Sequence, residues 1–83
     1  MIPMNSAARH DHVVAAELVA SVLDVEVETG DLVSPTDVVC VLESMKMEIP
    51  VVADATGHIT EIVVKPGDLV REGDPLVVVR PRG

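Results

Sequence analysis

The chain has no Phe, Trp or Tyr, so any core it builds is aliphatic. It has one cysteine, Cys40, which excludes an internal disulfide and agrees with a reducing compartment. Basic residues are scarce. Six Lys and Arg stand against fourteen Asp and Glu, a net charge of -8, the reverse of a nucleic-acid footprint. No apolar run approaches the length of a membrane span, and the polar opening (Asn5, Ser6, Arg9, His10, Asp11, His12) is no secretory signal. A cytoplasmic protein that binds neither nucleic acid nor membrane is the expectation. With 83 residues there is room for one small domain with a modest core. A carrier or binding role is favoured over a catalytic cleft.

What the chain does have is valine, and a repeat. Valine makes up roughly a fifth of the residues and suits half-buried pleated strands. Shifted by 37 positions the sequence overlays on itself: Gly30-Asp31-Leu32-Val33 falls on Gly67-Asp68-Leu69-Val70, and Val39-Cys40-Val41-Leu42 on Leu76-Val77-Val78-Val79. Two copies are too few for a solenoid, so a closed body of two interlocked halves is expected. Alternation in Val25-Glu26-Val27-Glu28 and in Ile59-Thr60-Glu61-Ile62 reads as strand. Thr29-Gly30-Asp31 and Pro66-Gly67-Asp68 read as turns with glycine at positive φ. Ser34-Pro35-Thr36-Asp37 and Arg71-Glu72-Gly73-Asp74-Pro75 mark a second turn in each half. The count is about four short strands per half. No amphipathic helix is visible.

The repeats meet at residues 45–49, inside Glu43-Ser44-Met45-Lys46-Met47-Glu48. A lysine here sits where one valine-rich strand turns back into another. Its partner under the repeat is Gly83, so Lys46 belongs to the joint and not to the repeated framework, which is where function is expected. Two-fold symmetry sets the joint and the chain ends at opposite ends of the body. Two-residue hairpins prefer glycine or asparagine, so a Met-Lys tip implies local strain.

Met45-Lys46-Met47, the Ala53 to Gly57 spacing, and Gly67-Asp68-Leu69-Val70 with Gly73-Asp74 together resemble the biotinyl domain of biotin carboxyl carrier proteins. The similarity runs from about Val13 to Val79. It implies an all-β, flattened eight-stranded barrel (a barrel-sandwich hybrid) with quasi-two-fold symmetry and the modified lysine at the central hairpin tip. A flexible segment would occupy 1–12 and the biotinyl domain 13–83. The resemblance implies that Lys46 carries covalent biotin attached by a biotin protein ligase. The arm would then carry a carboxyl group from biotin carboxylase to carboxyltransferase subunits of an acyl-CoA-type carboxylase, as in fatty acid biosynthesis. Met45 and Met47 either pack beside the turn or contact the ligase or the biotin. Glu43 and Glu48 are candidate ligase contacts, with plain solvation the competing reading. Two features depart from the family: Ala20 stands where glycine is common, opposite Gly57, and the chain lacks both a thumb segment and a long Pro/Ala-rich linker, which leaves the carboxylase subclass open. Met1 and the irregular opening point to a complete small protein, expected to be a monomer in isolation.

Lysine amines are mostly protonated at neutral pH, and nearby glutamates favour that form. Activation therefore comes from the modifying enzyme, and the chain contributes presentation with no catalytic machinery of its own. Cys40 aligns with Val77 and reads as core. His10-Asp11-His12 is a poor metal site at a chain end, and His58 reads as an exposed strand position. The rival readings are a lipoyl carrier, which typically has aspartate where Met45 stands, and an unmodified lipoyl-like interaction module, which needs flanking coiled-coil helices.

Overall fold

The computed structural model describes residues 11–81. Eight strands fill it: β1 (His12–Ala15), β2 (Ala20–Val25), β3 (Leu32–Val33), β4 (Val38–Ser44), β5 (Met47–Val52), β6 (Gly57–Ile62), β7 (Leu69–Val70) and β8 (Pro75–Pro81). They form two four-stranded antiparallel sheets, ordered β1-β8-β6-β3 and β5-β4-β2-β7. Advancing each strand of the first sheet by four positions, cyclically, gives the second. The expected eight-strand, quasi-two-fold architecture is therefore the one observed.

The two halves also share their backbone bonding. Val22 N–H donates to Asp68 O and Ile59 N–H to Asp31 O, each at 2.8 Å; Ala16 N–H donates to Asp74 O and Ala53 N–H to Asp37 O, each at 2.9 Å. Both turns of each half close on an aspartate. Asp31, Asp37, Asp68 and Asp74 each accept, at the side chain, the N–H three residues earlier, at 2.8–3.0 Å. Each also returns its own N–H to that residue's carbonyl. These reciprocal clamps explain why aspartate recurs at matched places. Gly30 and Gly67 take φ of 99° and 97°, a conformation in which any Cβ would be strained.

One expectation about strands is corrected. β2 ends at Val25, so Glu26, Val27 and Glu28 lie outside the ladder. A register shift between Val22 and Asp24 and the Asp31 clamp on Glu28 turn the chain towards the other sheet. Burial still alternates through this segment, and Glu26 N–H still reaches Val39 O at 2.8 Å. The alternating pattern reported burial correctly where it did not report pairing.

Between the sheets lies an aliphatic core. Leu42, Ile59, Leu76, Val39, Val77, Val79 and Cys40 are its largest fully buried members. No buried side-chain polar atom among the described residues lacks a partner. Burial pushes the Cys40 thiol up to about 11, as fits a core residue and not a nucleophile. Residues 1–10 of the segment expected to be flexible, and 82–83, lie outside the described residues. Asp11 accepts from Arg80 Nε at 3.1 Å and His12 already belongs to β1. His10 lies outside the described residues. No helix among the described residues is long and apolar enough to cross a membrane.

Candidate functional site

Six of the seven connections carry the chain from one sheet to the other. The exception is β4 to β5, whose two-residue turn is Met45-Lys46. Strand pairing runs to its base: Leu42 faces Ile49, Glu43 faces Glu48, and Ser44 faces Met47. With two residues left to reverse the chain, a turn that matches the strand twist takes positive φ at the first residue or at both. Met45 has φ 53° and Lys46 φ 67°, the signs of a type I′ turn. The lysine is thus held at a fixed place by a ladder and not by a loose loop, at a cost in backbone strain that asparagine or glycine would avoid.

Everything at this tip faces solvent. Met45 is 91% and Met47 65% exposed, and Lys46, Glu43 and Glu48 are exposed as well. Among the described residues the ion pairs are Lys65–Asp68 and Arg80–Asp11, and Lys46 belongs to neither. Its amine is sterically open and uncommitted, which is what covalent acylation requires. The methionines do not pack into the core beside the turn. Both stand solvent-facing beside the lysine.

Glu43 and Glu48 stand opposite each other two pairs below the joint. Counting from the closing Ser44–Met47 pair, theirs is a non-hydrogen-bonded pair, in which side chains lie closest. Like charges so placed oppose pairing. The repeat supplies the comparison. The partners of Glu43 and Glu48 under the shift of 37 are Arg80 and Asp11, which form an ion pair at 3.1 Å. Where one sheet neutralises its acid, the other leaves two carboxylates without an ion-pair partner among the described residues. His58, facing Arg80 in the register, is exposed, as expected of it.

Sequence reasoning missed a groove. The open edges of the two sheets, β1 and β5, run side by side and leave a cleft of ≈ 420 Å³. A signal for it was present as a mismatch in the repeat, at Leu18 against Ala55 and Ile49 against His12.

Comparison with known proteins adds the family. A family model described as "Biotin-requiring enzyme" (Biotin_lipoyl) matches residues 13–79. A biotinylated protein TB7.3 homolog of Mycobacterium leprae is 48% identical over 66 residues, covering 80% of this chain and 93% of that one. Among solved structures, a single-chain, multi-domain long-chain acyl-CoA carboxylase superposes with TM-score 0.82 at 29% identity, over 88% of this chain. The Kluyveromyces lactis urea carboxylase does so with TM-score 0.79 at 30% identity, over 83% of this chain. The chain corresponds to 7% and 6% of those two enzymes.

Proposed function

The chain belongs to the Biotin_lipoyl family of biotin-requiring proteins, whose cofactor is covalently held biotin, and from that premise we propose that Lys46 is the residue that holds it. The observation that carries the assignment is an exposed, uncommitted lysine at the tip of the one within-sheet hairpin of the described fold. At the coarser level the chain is a biotin carrier domain of the kind found in biotin-dependent carboxylases.

The amine of Lys46 forms an amide with a biotin carboxyl group that a biotin protein ligase has first converted to an activated acyl group; the activating group leaves as the C–N bond forms, and the ligase takes up the proton the amine loses. When bound, biotin supplies a ureido nitrogen that takes up and gives up a carboxyl group. The chain's own part is presentation. The β4–β5 ladder fixes where the arm is rooted, and a short tether keeps the reacting group at high effective concentration at successive active sites. Glu43 and Glu48 offer an unneutralised acidic pair to a basic surface on the ligase or on the carboxylase, chiefly adding to encounter rate. Biotin carboxylase and carboxyltransferase subunits are the proposed partners, in the cytoplasm, with an acyl-CoA as the proposed acceptor. The absence of aspartate before the lysine supports biotin over lipoate.

Intact mass after co-expression with a biotin protein ligase and biotin tests this. A single biotinyl increment in the parent, lost in Lys46→Arg, is expected. An increment that persists in Lys46→Arg would remove Lys46 from the site, and a lipoyl increment under the matching ligase would replace biotin.

A further inference from the structure

The cleft between β1 and β5 is not symmetric, although the framework around it is. The chain leaves β1 at Ala15 and enters the other sheet at Ala20. There Ser21 faces Glu43, two residues short of the lysine turn. The crossover residues 16–19 therefore lie at the hairpin end of the cleft. At that end the walls are Glu17, Leu18 and Ile49, above the fully buried Leu42; at the other they include His12 and Asp54. Under the repeat, Leu18 corresponds to Ala55 and Ile49 to His12. The larger apolar side chains stand only at the lysine end. Both Leu18 and Ile49 rest half-buried against the core, so they form firm walls.

Resting on the reading of Lys46 as the biotin-bearing residue, we propose that the lysine end of this cleft is a seat for the chain's own biotinyl group. The whole cleft, both ends together, holds ≈ 420 Å³, towards the lower end of the range of small-molecule sites, and the seat takes part of it. Ile49 lies three residues from Lys46, about 10 Å along a strand. The lysine stem, the amide and the valeryl chain extend to on the order of 14 Å by standard bond lengths, so the ring reaches the seat from its tether. Leu18 and Ile49 meet its methylenes and thioether ring, and the exposed carboxylate of Glu17 is an acceptor for a ureido N–H. Tethering raises the local concentration of the ring enough for a shallow seat to be occupied. Because the walls contribute only apolar contact and one exposed acceptor, the arm leaves readily when a partner site binds it better.

The test uses isotope-labelled full chain, with and without biotin. Mass spectrometry first establishes the increment on Lys46; without it both the attachment and the seat are lost. With it present, amide shifts at Glu17, Leu18 and Ile49 on biotinylation are expected. So are nuclear Overhauser contacts from the biotin ring to the Leu18 and Ile49 methyls, of which those to Ile49 are expected to be lost in Leu18→Ala. That variant copies the residue at the equivalent position of the other half, and its unmodified spectrum verifies that it folds. A holo spectrum altered only at residues 44–48, without ring contacts, overturns the seat and leaves the carrier reading intact.

Discussion

A Cβ on Gly57 would run into the carbonyl of Arg80 and the Cα of Pro81, backbone atoms that cannot step aside without breaking the β6–β8 pairing. Gly57→Ala is expected to destabilise by about 2–4 kcal/mol, read as a fall in the urea midpoint at unchanged slope. Its counterpart Ala20 is buried without such a clash, and the register shows why. Gly57 faces Pro81, but the equivalent pair, Ala20 with Ser44, is absent, and β2–β4 pairing starts at Ser21 with Glu43. The lysine hairpin thus projects one pair beyond its neighbour. Met45 is the converse case, a side chain held at positive φ where glycine would rest without strain. Met45→Gly should raise stability by about 0.5–1 kcal/mol, the relief of the left-handed conformation less glycine's entropy, while lowering biotin incorporation by the ligase. A loss of stability would show that the turn is not strained.

At the level of the element, β5 is an open edge, and open edges recruit other strands. Pro50 faces Val41, a non-hydrogen-bonded position when counted from the turn, so its nitrogen points away from β4. The ladder loses nothing by having proline there, and the outward edge loses a donor. Pro50→Val restores that donor. It is expected to promote concentration-dependent self-association, visible by sedimentation, with little change in the monomer's fold. A variant that stays monomeric at every concentration would assign edge protection elsewhere. The aspartate-clamped turns act at the same scale. At Asp68 the Lys65 backbone N–H, then the Lys65 ammonium, hold the carboxyl below its ordinary value. Its contribution to stability is present at neutral pH and is lost as the pH falls through the folded value.

Across the whole molecule the two halves share one core, so they should unfold together, and Cys40 reports on that event. Its thiol is fully buried and raised by desolvation from 9.0 to about 11. Alkylation of the native protein should be slow and should speed up in step with denaturant unfolding; fast native alkylation would mean that the core opens locally. The folded state holds the proton more tightly, so this contribution to stability is complete below pH 9.0 and lost as the pH rises towards about 11. The sequence alone determined the strand count, the two-fold repeat, the places of the turns and the lysine at the joint. Each of these is written in local chemistry: alternation, glycine and aspartate spacing, and one residue outside the repeat. It overextended β2, because Val25 to Glu28 alternate in burial whether or not a neighbouring strand pairs with them. What only the tertiary structure decided is which edges lie side by side. The β1–β5 cleft depends on how the two sheets pack, and the stand-off of the hairpin from β2 on a register between strands distant in sequence, relations that no local pattern encodes.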